Sequence, residues 1–222
     1  MRRLPAFLGT SHRISLITCT TAVAAAALLV AAGCSKAAPP AASAAPAAKA
    51  EQPVTVQAAR DAFWQMYTAA KQWAPDAVPM RLAQRDLAGY TANEGKAAMW
   101  EAIFASPSRR QYRVITYAIA AAPPQIYRGV QAAGAQDWSG PTRDAMSIDT
   151  TLFQTDSDAA YQAAATEASG WLKKHPDMKL TALELGSSSR FQVPVWYVRW
   201  GNDKEGYAAF VDASTGKVLK HK

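Results

Sequence analysis

Cysteine and histidine are scarce in this chain of 222 residues, which contains two cysteines and three histidines. Cys19 lies in an uncharged run that we interpret below as a cleaved signal, so the exported chain keeps only Cys34. With Cys34 modified, no disulfide, cysteine nucleophile or cysteine metal site remains. No two histidines have metal-ligand spacing, and there is no H-E-x-x-H motif.

Other catalytic motifs are missing as well. The sequence has no G-x-S-x-G elbow and no phosphate-binding glycine loop. Asp156 and Asp158 resemble the start of a calcium loop, but no ligand series follows, and we interpret them as negative residues at a helix start. His175 precedes Pro176 and is predicted to be a cation at a helix end. We expect no enzyme, no cofactor and no metal.

Charge of either sign is moderate and scattered. The chain has 24 Lys and Arg against 17 Asp and Glu, and removal of Arg2, Arg3 and Arg13 with the signal leaves a net charge of +4. No basic stripe with interleaved aromatic residues occurs, so nucleic acid is not an expected partner. A mixed, solvated surface is the interpretation that this composition favours.

The first 33 residues have the pattern of an export signal. A basic start is followed by an uncharged run from Ile14 to Ala32. The run approaches the roughly 20 residues of a membrane-spanning helix, but it is rich in Ala and Thr and ends on Ala31-Ala32-Gly33-Cys34. That ending resembles the lipobox of bacterial lipoproteins, with Ala31 in place of the usual Leu. The resemblance implies a signal peptide over 1–33 and a lipidated, palmitate-bearing N-terminus at Cys34.

A lipid anchor at Cys34 would attach the protein to a membrane, since two or more acyl chains hold a protein stably on a bilayer. By the same resemblance, Ser35 is not the aspartate that retains lipoproteins in the inner membrane. We therefore expect the outer membrane, with the protein facing the periplasm. Residues 34–53 are dense in Ala and Pro and have no large apolar side chain, which predicts a disordered tether.

Two helices are expected in the remaining chain. The first covers Thr55–Trp73, with Thr55 as a cap and apolar residues three and four positions apart; Pro75 ends it. The second runs from about Asp156 to Lys174, with Thr155 and Asp158 as a capping-box-like pair.

Each predicted helix is followed by a similar series of strands, the first at 78–87, 99–104 and 111–119, the second at 178–185, 195–200 and 207–211. Further short strands are expected around 126–130 and 217–219. Trp100 and Phe104 have the same spacing as Trp196 and Trp200. We interpret this as an α+β fold of two tandem helix-plus-antiparallel-sheet units, a divergent unit at 54–135 and a second at 156–222, joined by a connector at 136–155.

The stretch "VPVWYVRWGNDKEGYAAFVDASTGKVL" resembles a PepSY domain, a cystatin-like fold, over about Asp156 to Lys220. The aromatic strand at 196–200 and the hairpin from Val211 to Val218 carry the resemblance. It implies a small noncatalytic module that binds or restrains a partner, as PepSY domains do in the propeptides of secreted metallopeptidases. We expect a departure from the propeptide case, since no peptidase motif lies within these 222 residues. Asp212 and Gly216 have a sufficient role as turn residues.

Seven tryptophans offer the main hint of binding. Trp73, Trp171, Trp196 and Trp200 fall where helix and sheet should meet, so core packing is their default role. Trp138, in "AQDWSG", has no obvious core role and is the best candidate for a partner contact. Asp212 and Thr215 of the hairpin are further candidates.

These observations favour a noncatalytic envelope lipoprotein that binds a protein or peptide partner. Two alternatives stay open at this stage. A peptidase inhibitor acting in trans would follow from the propeptide members of the family, and a structural lipoprotein that binds the cell wall would use exposed aromatic residues on sugars.

Lipidation of Cys34 is directly testable. We expect intact-mass spectrometry of membrane-extracted protein to find an acylated chain that begins at Cys34, because the acyl chains are what retain it on the membrane. A Cys34→Ser variant, which lacks the acceptor sulfur, serves as the control and should carry no acyl mass. An unmodified wild-type chain that still bears its leader would contradict the prediction.

Overall fold

The computed structural model describes residues 55–202 and 204–221. The predicted signal at 1–33, the lipidation site Cys34 and the whole tether at 34–53 lie outside these residues. The helices are α1 (Ala59–Trp73), α2 (Ser157–Glu167) and α3 (Ser169–Leu172), with a 3-10 turn at Thr150–Leu152. The strands are β1 (Val78–Arg85), β2 (Met99–Ser106), β3 (Gln111–Ala118), β4 (Gly129–Ala132), β5 (Gln136–Asp137), β6 (Leu180–Gly186), β7 (Val195–Gly201), β8 (Gly206–Asp212) and β9 (Val218–His221).

All strand pairs are antiparallel and belong to one sheet in the order β4-β3-β2-β1-β6-β7-β8-β9, with β5 also paired to β3. The α+β class with an antiparallel sheet is therefore confirmed. Outward from the central β1–β6 pair, each half follows the same order of strands. The two halves share one continuous sheet and one core cluster. Their derivation from two PepSY-like units stays a prediction.

The core lies between the helices and one face of this sheet. In β7 the alternation places Trp196, Val198 and Trp200 on the buried side, where each is at most 2% exposed. The predicted face of that strand is thus correct. Leu82, Trp100 and other apolar residues of the neighbouring strands continue the same face. We call the opposite side of the sheet the outer face.

Helix α1 begins four residues later than predicted, and Thr55 does not cap it. Its N-cap is Ala58, which has no side-chain hydrogen bond. The free amides of the first turn are instead satisfied from the second half of the chain, because Ala59 N donates to Ser157 Oγ at 2.9 Å and Arg60 N donates to Asp156 Oδ1 at 3.0 Å. The end at Trp73, ahead of Pro75, agrees with the prediction.

The second predicted helix is interrupted. Helix α2 ends at Glu167, and a separate turn, α3, follows Ala168. The predicted capping pair of Thr155 and Asp158 is wrong: the N-cap is Asp156, whose Oδ1 accepts from Ser157 N at 2.7 Å. His175 lies just beyond α3, stacked on Trp171 with 4.3 Å between ring centroids.

The two halves share a specific tryptophan contact. Trp100, the second residue of β2, donates its indole N–H to Gln57 O at 3.2 Å. Trp196, the second residue of β7, donates to Thr155 O at 2.9 Å. Each acceptor lies two residues before the start of the helix in its own half. This correspondence supports the two-copy interpretation, because two halves with similar strand patterns by chance would not be expected to share the same indole hydrogen bond.

The predicted connector at 136–155 is partly regular. It begins with β5, and its backbone later bonds to the residue after β6 and to β1: Met146 N donates to Ser187 O at 2.9 Å and Ile148 N donates to Pro79 O at 2.7 Å. The expected strand at 126–130 is shifted to Gly129–Ala132. Short strands such as β5 lack a periodic sequence pattern of their own, since their pairing depends on a distant partner.

Gly95 holds the β1–β2 loop against α2. Its φ is +83°, and an added Cβ would lie 2.5 Å from Ser157 O and 2.7 Å from Asp158 Cα. Gly89, with φ of +84°, has no atom within 4 Å of such a Cβ. Both glycines thus adopt a positive φ, but only at Gly95 is there no room for a Cβ atom.

We expect Gly89→Ala to lower the free energy of unfolding by about 1–2 kcal/mol, the cost of a left-handed conformation for an L-residue. Gly95→Ala should cost a further ~1–3 kcal/mol, because backbone must move to accept the methyl group. Urea unfolding followed by circular dichroism measures both. Equal losses in the two variants would contradict the contact at Gly95.

Asp76 joins the α1–β1 turn to the β2–β3 turn. Its Oδ1 accepts from Ser106 Oγ at 2.7 Å and its Oδ2 from Ser108 N at 2.7 Å. These bonds, first that from the Ser108 backbone and then that from the Ser106 side chain, lower the pKa of Asp76 from 3.8 to about 2. The ionised carboxylate therefore stabilises the fold at pH values above its ordinary pKa of 3.8, and this contribution is lost as the pH falls through about 2.

We expect Asp76→Asn to unfold at lower urea than the wild type above pH 4, with the difference shrinking toward pH 2 as the wild-type carboxyl is protonated. Urea titrations from pH 6 to pH 2 measure this. Ser106→Ala, which removes one of the two donors, should flatten the pH dependence. If the difference in urea midpoint between the wild type and Asp76→Asn stays constant down to pH 2, the carboxylate charge is not what stabilises this contact.

Candidate binding cavity

The outer face of the sheet is lined by side chains that alternate with the core residues. In β1 and β2 these include Arg81, Arg85 and Glu101, and in β6 to β8 they include Glu184, Tyr197 and Phe210, by the observed register. The connector and the β6–β7 loop pass over one end of this face. They leave a cavity between themselves and the sheet.

This central cavity has a volume of about 650 Å³. Both halves of the chain and the connector contribute to it. Its apolar and aromatic lining comprises Met80, Ile103, Tyr112, Trp138, Ala145, Leu185, Val195, Phe191, Tyr197 and Phe210, and its polar lining includes Arg81, Asp144, Glu184, Ser187, Ser188 and Arg190. A volume between about 300 and 1,000 Å³ with apolar walls and a few polar groups is typical of ligand sites.

Trp138 separates this cavity from a second one. The side cavity, of about 460 Å³, shares Met80 and Trp138 with the central cavity and extends toward Pro107 and Gly140. Trp138 is half-buried, and its backbone N donates to Arg110 O at 2.8 Å. Its neighbouring strand β5 is fixed to β3, with Tyr112 Oη donating to Gln136 Oε1 at 2.5 Å. Backbone pairing therefore places Trp138 at the wall between the two cavities.

Aromatic rings form one wall of the central cavity. The Phe210 ring lies 5.0 Å from Phe191 and 5.3 Å from Tyr197, measured between centroids. Both distances fall within the range of favourable aromatic contacts. Arg190 lies over this cluster, its guanidinium carbon 5.0 Å from the centre of Phe210 and 5.3 Å from that of Phe191.

An alternating ion network crosses the three central strands beside this wall. Glu101 accepts from Arg85 at 2.7 Å and from Arg81 at 3.3 Å, while Glu184 lies 3.9 Å from each arginine. The four side chains are between 22% and 37% exposed, so each pair contributes modestly to stability. The network keeps Arg81 and Glu184 in place at the edge of the cavity.

The cavity includes only one of the three residues predicted as partner contacts, Trp138. Asp212 and Thr215 lie in the β8–β9 hairpin and do not line it. Asp212 Oδ1 accepts from Ser214 N at 2.7 Å, from Ser214 Oγ at 2.6 Å and from Thr215 N at 3.3 Å. Burial raises the pKa of Asp212, but these hydrogen bonds outweigh burial and hold the pKa below its ordinary value. With Gly216 at φ +73°, the hairpin has the turn geometry expected for it.

Sequence reasoning missed most of the cavity residues. The alternation of β7 predicted that Tyr197 faces away from Trp196 and Trp200, which was a usable signal. No comparable signal exists for Arg190 and Phe191, which lie in a loop and meet Phe210 only through the pairing of β7 with β8.

Within residues 55–202 and 204–221, no three His, Cys, Asp or Glu side chains lie close enough together to hold a metal ion. None of the helices described is long and apolar enough to cross a bilayer. His175 Nδ1 lies 3.3 Å from Glu205 Oε1, on the β7–β8 turn.

The chain has little similarity to known proteins. No protein-family model matches the chain, and no curated protein matches it. A solved structure with some likeness is a candidate lipoprotein of Clostridium difficile 630, 15% identical, with a TM-score of 0.48 over 78% of this chain and 95% of that one. At this identity and TM-score the likeness carries no argument about function. The PepSY resemblance of residues 156–220 stays a prediction.

Proposed function

We propose that this chain is a noncatalytic, lipid-anchored protein of the bacterial envelope that binds a peptide segment of a partner protein in the central cavity. The observation that supports this most is the construction of the cavity itself. Five aromatic side chains, from β3, the connector, the β6–β7 loop, β7 and β8, converge on it: Tyr112, Trp138, Phe191, Tyr197 and Phe210.

The composition of the cavity favours peptide over most other ligands. Aromatic walls accept apolar side chains, and the surrounding carboxylates, hydroxyls and guanidinium groups can pair with peptide N–H and C=O groups. Exposed Trp, Tyr and Arg are also the residues that most often dominate protein interfaces. Trp138 combines all the features of such a residue: it is large, half-buried and held by backbone pairing.

The anchor and the tether suit this role. Attachment through Cys34 would place the protein on a membrane, and the following Ala/Pro-rich residues would let the folded part reach a partner at some distance from the lipid surface. The outer membrane, facing the periplasm, is our proposed location, from the absence of Asp after Cys34.

The proposal is tested by site-specific photo-crosslinking in the native envelope with the full-length protein. A benzophenone amino acid at Trp138 should give a discrete crosslink to a partner protein. The matched control is the same substitution at Trp64, which is 42% exposed on α1, on the opposite side of the sheet. Trp138→Ala should weaken recovery of that partner by about 30-fold, as for a central interface residue.

Equal crosslinking from positions 138 and 64, or crosslinks at 138 to peptidoglycan alone, would contradict the proposal. The latter result would favour the cell-wall-binding alternative. A crosslinked partner that is a secreted metallopeptidase would favour the inhibitor alternative, which an assay of its activity against the purified full-length protein would then decide.

A further inference from the structure

Arg190 lines the central cavity and is exposed. Its guanidinium carbon lies over the rings of Phe191 and Phe210, 5.3 and 5.0 Å from their centres. Among the residues that the structure describes, no carboxylate lies within 4.0 Å of it, whereas Arg81 and Arg85 on the same face are both paired. A guanidinium over aromatic rings can still donate its N–H groups to a planar acceptor, and a carboxylate is the acceptor that matches it in two parallel hydrogen bonds.

The rest of the cavity specifies what that carboxylate should be attached to. Met80, Ile103, Val195 and the aromatic rings would bury an apolar body. Glu184 and Asp144 line the same space. Glu184 already lies 3.9 Å from Arg81 and Arg85, whereas Asp144 has no cation within 4.0 Å among the described residues. A plain acyl chain would desolvate the Asp144 carboxylate without returning a donor, which is the cost of an unpaired charge taken out of water. A peptide supplies N–H donors along its backbone and so can satisfy it.

One side of the cavity is closed by continuous backbone. Met146 N donates to Ser187 O at 2.9 Å and Ser189 N donates to Arg143 O at 2.7 Å, which join the connector to the β6–β7 loop next to Arg190. Asp144, Ala145, Ser187 and Ser188 of these segments line the cavity. These hydrogen-bonded segments bound the cavity on the side of the β6–β7 loop, and a peptide that ends at Arg190 needs no exit on that side.

We propose that the central cavity binds the C-terminal end of a polypeptide, with its apolar last residues among the aromatic rings and its terminal carboxylate on Arg190. This inference rests on the proposed function and names the ligand class of the same site. It makes Arg190 a specificity residue for the terminal carboxylate, while Trp138 contributes to binding of any peptide.

The test uses the full-length protein in detergent and a bead-displayed library of random hexapeptides that omits Asp and Glu, prepared with a free C-terminal carboxylate or as the carboxamide. We expect the wild type to select peptides from the carboxylate library and to bind the selected peptides about tenfold or more weakly as carboxamides. Arg190→Gln should abolish that preference, and Arg190→Lys, which keeps the charge but not the planar fork, should retain part of it.

Arg128→Gln is the matched control, since it makes the same change of charge at an exposed arginine outside the cavity; it should leave the preference intact. Equal selection from both libraries, with binding lost in Trp138→Ala, would overturn the terminal-carboxylate inference but leave the proposed function standing. Selection from neither library would overturn the inference, and the crosslinking at position 138 then decides the proposed function separately. If laurate or chitotriose displaces a selected peptide more strongly than the unlabelled peptide does, the inference is overturned and the ligand class is an acyl chain or a glycan.

Discussion

The pairing of β1 with β6 is the constraint on which the rest of the molecule depends. Only three residue pairs define it, Arg81–Gly186, Leu82–Leu185 and Ala83–Glu184. It converts two short antiparallel sheets into a single one, and it fixes which side chains of both halves share a face. A shift by one residue would place Leu82 and Leu185, both fully buried, on opposite sides of the sheet. The central register therefore determines both the core and the outer face.

Because both helices lie on the same side of this sheet, their N-termini meet. Asp156 Oδ1 accepts from the first-turn amide of α1 and from that of α2, and Ser157 Oγ accepts from a further amide of α1. Burial raises the pKa of Asp156, while the two N–H donors and Arg60 act in the opposite direction. One carboxylate thus serves two helix ends, each of which favours negative charge. This contact couples the halves on the buried side, as the β1–β6 pair couples them within the sheet.

The same joining creates the cavity. Its floor comes from strands of both halves, and its cover from the connector and the β6–β7 loop, so neither half could form it alone. The strands provide a rigid base for Tyr197 and Phe210, and the loop brings Phe191 and Arg190 over them. A loop that carries recognition residues above a rigid sheet is a common arrangement for binding sites. The function that we propose follows from this arrangement of both halves.

The sequence by itself determined the elements with strong local signals. The helix that ends before Pro75, the alternation of Trp196, Val198 and Trp200, and the Asp212–Gly216 turn are all present as predicted, because periodicity and turn chemistry act between near neighbours. Trp138 was singled out because it fits no local core pattern. The tertiary structure alone decided what caps α1, since its amides bond to Asp156 and Ser157, about 100 positions away. It also decided which residues line the cavity. Arg190 and Trp138 reach it only because distant strands pair, and such pairing produces no periodic sequence pattern around either residue.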